Sequence, residues 1–328
     1  MGSRVRHLGE NVSGRTVEVR ATEISGYGDE ATPGHVRTGT RLLLFGFALL
    51  TFLAASQLLL FGGSTDRYFA WTITVEPMAG FLGAAYAAGF VLSVLSLRQA
   101  RWERVRVTVV AVTAFTMLAL VPTLIHLHKL HLMMGAPAAR FAAWFWLIVY
   151  LITPPACVAV LIRQEVAKRS PVRHVMPMPL WLAALIGLQG AILAGVGGIL
   201  FVRSIRVHEL TSDAMHFWPW RLTPLTAGIV GAWLIAFGVA AVTAIWQRDL
   251  ADLVVPATGY AAFGLFELLV LFRYRTDVRP DSPWRWVYLV FLATVLLAGV
   301  YGLWAGRHRQ QSGSTEQIMP ELKSKGQP

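Results

Sequence analysis

Histidines gather in two short stretches of this 328-residue chain, each with methionines or carboxylates beside them. In the first stretch His128 and His131 are three residues apart, and in the second Glu209, Asp213 and His216 would share one face of a helix. Imidazole with thioether is a ligand set that suits copper, and imidazole alone also serves zinc or a haem iron. The sequence therefore offers a candidate metal or haem site. Its candidate ligands are His126, His128, His131, His216, Glu209 and Asp213.

The same histidines also have a purely structural interpretation. Their spacing is not a known zinc signature, and Lys129 lies among the candidate ligands. Histidines at a membrane interface can instead bond headgroups, water and the backbone of loops. The sequence alone leaves both interpretations open.

Carboxyl groups offer a second kind of chemistry. Of the 18 acidic residues only Glu267 lies within a predicted membrane span, where a carboxyl is costly enough to indicate a proton carrier or a cation ligand. Glu267 is six residues from Arg273, which is about 9 Å along a helix, so it lies near the outer end of its span. The structural alternative is a protonated or snorkelling carboxyl bonded to an arginine or tryptophan there. Glu76, which opens the second predicted helix, is the other candidate for ion or proton coupling.

Other common site chemistries have no machinery in the sequence. The chain has no phosphate-binding G-x-x-x-x-G-K-[ST], no G-x-S-x-G nucleophile elbow and no H-E-x-x-H. The single cysteine, Cys157, excludes an internal disulfide and any cysteine-based zinc or iron–sulfur site. We therefore name no catalytic residue and do not expect an enzyme, although absent motifs alone exclude none.

The composition indicates which elements must hold these groups. Apolar residues make up 55% of the chain and charged residues 14%, against roughly 25% charged residues in a soluble protein. The sequence therefore predicts a membrane protein whose first partner is the lipid bilayer. The net charge of +11 does not indicate nucleic-acid binding, because the basic residues lie between apolar runs. Arginine far outnumbers lysine among them, which suggests a GC-rich bacterial genome.

Windows of about 19 residues predict an all-α membrane fold of eight transmembrane helices. Each apolar run is long enough to cross a bilayer. The predicted spans are Leu42–Phe61, Met78–Leu97, Val107–Ile125, Phe141–Ile162, Leu180–Val202, Pro224–Ile245, Leu253–Phe272 and Trp286–Trp304.

The distribution of lysine and arginine sets the predicted orientation. Eight spans put both termini on one side, and if that side is cytoplasmic, 19 of the 29 basic residues face the cytoplasm. We expect a multi-pass protein of the plasma membrane with both termini inside. The last three helices are less well determined, because the predicted outer segment 273–285 holds four arginines. The units are a disordered N-tail at 1–40, a four-helix repeat at 41–162, a basic linker at 163–179, a second four-helix repeat at 180–305 and a disordered C-tail at 306–328.

The second and sixth predicted helices open alike, which indicates an internal duplication. Phe69-x-Trp71 is followed by Ala79-Gly80-x-x-Gly83-Ala84, and Trp218-x-Trp220 by Ala227-Gly228-x-x-Gly231-Ala232. Two units of four helices would share one orientation and be related by a pseudo-twofold axis along the membrane normal. Small residues let helix backbones approach closely in lipid. The candidate packing residues are Gly80, Gly83, Gly228 and Gly231.

The predicted halves differ in the fourth helix of each. Pro154 and Pro155 remove two backbone donors from the fourth span and should kink it, which makes them hinge candidates. The eighth span has no such pair.

Aromatic residues cluster near the predicted outer ends of the spans. An interfacial belt is the first interpretation, and a stacking surface for an aromatic or lipidic ligand is the alternative. These residues are Tyr68, Trp71, Trp144, Trp146, Trp218, Trp220, Trp284 and Trp286.

Two sequence boxes resemble a known group of proteins. At Phe69-Ala-Trp-Thr-Ile73, and at Trp218-Pro-Trp220 with Leu222-Thr-Pro-Leu-Thr-Ala227, the chain resembles a family of uncharacterised multi-span integral membrane proteins of high-GC Gram-positive bacteria. The resemblance implies a topology and carries no known activity, so no site residue is transferred. Val75-Glu76 departs from the more apolar or Pro-containing stretch expected there.

Three functions fit the sequence. The first is a transporter or permease for a small or lipidic solute, with proton or ion coupling at Glu267 and a site between the two halves. The second is an outer-face protein that binds copper, zinc or haem. The third is a non-catalytic subunit or scaffold, acting with other membrane proteins or as a homo-oligomer. We favour the first slightly over the third, and the sparse polarity inside the spans favours an apolar substrate.

Overall fold

Eight long helices, antiparallel in succession, form the protein. The computed structural model describes residues 34–167, 177–206, 218–278 and 283–325, and in these segments only three isolated bridges have β geometry. All eight helices are long and apolar enough to cross a bilayer, so the predicted all-α membrane fold is confirmed. The helices are α1 (Thr38–Leu60), α2 (Glu76–Leu97), α3 (Trp102–Ile125), α4 (Pro137–Val166), α5 (Leu180–Arg206), α6 (Pro224–Gln247), α7 (Val254–Arg273) and α8 (Pro283–Lys325).

The observed helices contain the predicted spans to within one residue at each end. Proline in the first turn begins α2, α4 and α6, where its missing N–H would have no helical partner. Thr223 and Thr226 add a reciprocal capping box to α6. The largest difference between predicted and observed bounds is at the C-terminal end, where α8 continues to Lys325 through most of the predicted disordered tail. Extending an existing helix costs far less than nucleating one, which favours this continuation.

Four helices form the centre of the bundle and four surround them. α2 packs against α7 and α3 against α6, while α1, α4, α5 and α8 pack on α2, α3, α6 and α7 respectively. Between 44% and 61% of the residues in the central spans are buried inside the protein, against 28% in each peripheral span. The peripheral helices therefore present most of their apolar surface to lipid.

The bundle has two ends, which we name after one residue each. The Arg106 end is where α1, α3, α5 and α7 begin, and the Trp71 end is opposite. At the Arg106 end, two short backbone contacts join the segments before odd-numbered helices. The Val36 amide donates to the Ala100 carbonyl at 2.8 Å, and the Met178 amide donates to the Arg248 carbonyl at 3.1 Å.

Glycines allow α2 and α6 to approach their neighbours closely. A Cβ placed on Gly231 would lie 2.7 Å from the Gly197 carbonyl oxygen of α5, and one on Gly228 would lie 2.6 Å from Pro122 of α3. Both distances are shorter than real Cβ contacts, so these helix surfaces have no room for a larger residue. The close contacts of α2 are Gly80 with Val270 and Gly83 with Leu59, each at 2.7 Å.

Candidate functional site

A cavity of about 500 Å³ lies between the helices, in the middle of the bundle. Residues of all eight helices line it, and none of the lining residues in the described segments is Asp, Glu, Lys, Arg or His. The polar groups in the wall are hydroxyls, mostly on threonines and tyrosines, one amide, and the indole N–H groups of two tryptophans. Its size lies within the range of roughly 300–1,000 Å³ that is usual for small-molecule pockets. The cavity suits an uncharged, apolar molecule.

The cavity reaches the protein surface between α1 and α4. Among its lining residues in the described segments only Leu53 of α1 and Phe141 and Phe145 of α4 are exposed, which places its opening between these two helices. At the Arg106 end these two helices are joined, because Gln164 accepts a hydrogen bond from Thr40 at 3.0 Å and donates to the His35 carbonyl. The opening therefore faces the region where a bilayer would surround the protein.

A short loop, residues 69–75 before α2, covers the cavity at the Trp71 end, and we call it the covering loop. Phe69 and Ala70 of this loop contribute to the cavity wall. The Ala70 carbonyl accepts from the His131 amide at 2.9 Å, and His131 Nδ1 donates to the Phe69 carbonyl at 3.0 Å. The other ring nitrogen of His131 is 3.0 Å from the Thr72 hydroxyl. His131 thus holds the covering loop in position.

Five aromatic residues form one wall of the cavity, and we call them the aromatic box. Phe115 stacks on Trp233 with ring centroids 4.0 Å apart, and Trp146 stacks on Tyr150 at 4.4 Å. Tyr86 lies edge-on to Trp233 at 5.4 Å, and its hydroxyl is 2.9 Å from the Tyr150 hydroxyl. The aromatic box joins α2, α3 and α4 to α6. It consists of Tyr86, Phe115, Trp146, Tyr150 and Trp233.

The interpretation of the aromatic residues as an interfacial belt is wrong for half of them. Trp71 and Trp220 are each only 2% exposed, and Trp146 and Trp218 are also buried, because their rings pack on other rings inside the bundle. An anchoring ring would instead lie at the surface. The four that are exposed are Tyr68, Trp144, Trp284 and Trp286.

Glu267 is completely buried near the Trp71 end of α7. The Tyr288 hydroxyl donates to its Oε2 at 3.3 Å, and Oε1 has no hydrogen-bond partner among the described residues. Its bonding partner is thus a tyrosine of α8, and not the arginine or tryptophan that the structural alternative named. The rings of Trp218 and Trp220 both pack against Tyr288, with centroids 5.8 Å away.

Neither candidate coupling carboxyl lies in the wall of the cavity. Glu267 is seven residues after Tyr260, which does line it, so the two share a face of α7 about 10 Å apart along the helix. Glu76 is exposed in the first turn of α2, with its side chain beside Gly63.

The histidines of the first stretch point in different directions. Buried His126 donates from Nε2 to the Ser204 carbonyl at 2.9 Å, and the exposed His128 ring lies edge-on to it at 6.1 Å. Both ring nitrogens of His131 form hydrogen bonds with the covering loop. In the part of the chain that the structure describes, no group of three His, Cys, Asp or Glu side chains could hold a metal. His216, Glu209 and Asp213 lie outside those residues, so the metal or haem site stays a prediction.

An ion pair at the Arg106 end was not predicted from the sequence. Arg106 of α3 binds Glu165 of α4 through two contacts of 2.7 and 2.8 Å, and Trp102 donates to the same carboxylate at 2.8 Å. The Arg106 guanidinium also lies 4.3 Å from the ring of Trp246 in α6. The spacing of Trp102 and Arg106, one helical turn apart, is a weak signal of this site, but the arginines there were interpreted only as topology determinants.

The hinge candidates lie in the middle of α4. Pro154 is buried and Pro155 is exposed, and the helix is continuous through both. They fall between Tyr150 of the aromatic box and the Glu165 ion pair.

No family model, curated protein or solved structure matches the chain.

Proposed function

We propose that this membrane protein is a permease for an uncharged, lipid-like solute that enters from the bilayer. The observation that carries the proposal is the apolar cavity, which opens at the lipid-facing surface between α1 and α4. A solute dissolved in the bilayer could reach the aromatic box without crossing water. A scaffold would need no such cavity, so the geometry favours a permease over a non-catalytic subunit.

Two four-helix repeats would place this cavity at their interface, as in many transporters. Exchanging α1–α4 with α5–α8 turns the α2–α7 packing into the α6–α3 packing, and the α1–α2 pair into the α5–α6 pair. The backbone bond from Val36 to Ala100 likewise becomes the bond from Met178 to Arg248. These equivalences support an internal duplication with both halves in one orientation.

The arginines at the Arg106 end support a cytoplasmic location for that end. Arg98, Arg101, Arg104 and Arg106 lie at the end of α2 and the start of α3, and short cytoplasmic loops are enriched in such residues. On this orientation the loop that covers the cavity faces outward.

The proline pair would let one half of α4 move as a gate. The Arg106 end of α4 is fixed by Glu165 and Gln164, whereas Phe141 and Phe145, on the other side of Pro154, line the lateral opening. A bend at the prolines would widen or close the opening while the ion pair stays intact.

Translocation of a labelled lipid tests the permease directly. We would reconstitute the full chain in vesicles with an NBD-labelled glucosylceramide, whose sugar headgroup slows spontaneous crossing, and follow loss of fluorescence to external dithionite. The protein should accelerate crossing. Ala111→Phe should lower the rate towards that of protein-free vesicles, because residue 111 lines the cavity.

The matched control for this experiment is Val242→Phe, at a position that is exposed on α6 and outside the cavity wall. It adds the same ring to the surface and should leave the rate unchanged. If wild-type vesicles transfer the lipid no faster than protein-free ones, the permease is refuted and the scaffold remains.

Glu267 is the residue that we propose to couple transport to protons or another cation. Its Oε1 has no hydrogen-bond partner among the described residues, and the residue shares a face of α7 with Tyr260 of the cavity wall. Glu267→Gln should remove any dependence of the rate on a pH gradient, since an amide takes up no proton in this range. Tyr288→Phe keeps the carboxyl and should retain the dependence. An unaltered dependence in Glu267→Gln would show that the coupling group lies elsewhere.

A further inference from the structure

The strongest polar feature of the cavity is the pair of tyrosine hydroxyls in the aromatic box. Tyr86 and Tyr150 are each 5% exposed, both line the cavity, and their hydroxyl oxygens are 2.9 Å apart. They come from α2 and α4, so the pair lies on the side of the cavity next to the lateral opening.

One of the two hydroxyl protons of this pair has no acceptor within the pair. A hydroxyl has one proton to donate and two lone pairs to accept with. When one tyrosine donates to the other, the accepting tyrosine still has its own proton, and no other side-chain hydrogen bond of Tyr86 or Tyr150 is present in the described residues. A buried donor without an acceptor costs free energy. A ligand that brings a hydrogen-bond acceptor into the cavity would therefore stabilise the pair.

Trp233 adds a second donor of the same kind. Its indole ring lines the cavity and lies edge-on to Tyr86, and its Nε1 is buried with no acceptor in the described segments. An indole N–H can only donate. The aromatic box thus lacks oxygen atoms that accept hydrogen bonds, and it does not lack donors.

The rest of the wall excludes a charged ligand. Without a basic or acidic side chain to pair with, an ion would lose its hydration for no compensating contact. The threonine hydroxyls at positions 51, 116 and 153 already donate to carbonyls of their own helices. The hydroxyl of Tyr260 is occupied in a similar way, because it donates to Gln189 at 3.3 Å.

We propose that the cavity binds an uncharged apolar molecule by a carbonyl oxygen, which accepts a hydrogen bond from the Tyr86–Tyr150 hydroxyl pair. This inference rests on the proposed role of the cavity and adds the chemical class of its ligand. The carbonyl could belong to a membrane quinone or to a lipid ester, and both carry it on a long apolar body. The aromatic rings would pack on that body next to the carbonyl.

The test compares two ligands that differ only in the carbonyl. A long-chain methyl ketone and an alkane of equal length are titrated into the purified full chain in detergent, and apparent Kd values follow from the rise in Tm. Wild-type protein should bind the ketone roughly 2- to 12-fold more tightly, which corresponds to one net hydrogen bond. The double variant Tyr86→Phe/Tyr150→Phe should bind both ligands equally.

Tyr260→Phe is the matched control, because it also removes a hydroxyl from the cavity wall, here a partly buried one, and should keep the preference for the ketone. Each preference is a ratio within one variant, so a difference in stability between variants cancels. If wild-type protein binds ketone and alkane equally, the inference is overturned and the permease is untouched. If it binds neither, the apolar cavity is not a ligand site and the proposed function falls as well.

Two further titrations tell the sources of the carbonyl apart. A menaquinone and a fatty-acid methyl ester are each compared between wild type and the double variant. The ligand whose affinity falls in the double variant identifies the carbonyl that the site accepts. If neither changes, the hydroxyl pair does not bind a carbonyl and the inference is wrong.

Discussion

Replacing single glycines of α5 by alanine should separate a close helix contact from a lipid-facing surface. Gly195, Gly197 and Gly198 lie within one turn of the same helix. A Cβ on Gly197 would lie 2.8 Å from the Gly231 carbonyl oxygen and 2.9 Å from the Ile235 amide nitrogen, both backbone atoms of α6. A Cβ on either of the other two would meet nothing within 4 Å.

The expected magnitude follows from two opposing terms. Forcing a methyl group into a tight contact costs about 1–3 kcal/mol. This cost applies at Gly197 because the atoms in the way belong to a backbone and not to a flexible side chain. Each glycine-to-alanine change also raises helix propensity by about 0.8–1.0 kcal/mol. The second term is common to all three variants. Gly197→Ala should therefore be about 1–3 kcal/mol less stable than Gly198→Ala.

Thermal unfolding of the purified protein in one mild detergent, followed by helical circular dichroism, ranks the variants. Gly195→Ala and Gly198→Ala should unfold at or above the wild-type temperature, and Gly197→Ala below both of them. The reasoning fails if all three variants have the same Tm, because the α5–α6 distance would then not depend on the missing Cβ at position 197.

Two further predictions concern the ends of the bundle. Glu165→Gln, which alters the ion pair with Arg106, should lower the free energy of unfolding by about 1.5 kcal/mol, the lower end of the range for hydrogen bonds to charged groups. The lower end applies because the Glu165 side chain is 31% exposed. The control is Glu103→Gln, which alters a looser pair with Arg101 at 3.9 Å and should change the free energy of unfolding by less than about 1 kcal/mol. Equal losses for the two variants in chemical denaturation would contradict the importance of the Arg106–Glu165 pair. His131→Ala should cost about 1–3 kcal/mol by leaving the Phe69 carbonyl without its donor, and should raise proteolysis of the covering loop. His128→Ala, at an exposed ring, is its control, and equal sensitivity of the two variants to protease would count against this role of His131.

The helices could be predicted from the sequence because membrane spans follow from local composition. A run of about 20 apolar residues must become a helix in lipid, since only then are all its backbone groups bonded within the segment. For this reason each of the eight predicted spans falls within one observed helix, with at most one residue outside it. The end of α8 was missed because helix extension beyond the last span depends on propagation, which hydropathy does not report.

The sequence singled out one carboxyl inside a span and did not indicate the cavity. Glu267 stood out because an acidic residue in an apolar run is rare, and it is buried. The cavity and the aromatic box could not be anticipated, because Tyr86 and Tyr150 are 64 residues apart and neither lies in a recognisable motif. Trp71 and Trp146 were interpreted as surface anchors, since a residue near a helix end can face lipid or the core with the same local sequence.

The sequence by itself determined a membrane protein of eight helices, because hydrophobicity and length are summed along the chain. Only the tertiary structure decided which faces of those helices meet. The meeting of faces depends on contacts between distant residues, such as Gly197 with Gly231 and Arg106 with Glu165. In lipid no gradient of hydrophobicity distinguishes an inner face from an outer one, so packing and hydrogen bonding choose between them. The cavity is the space that these choices leave between the eight helices.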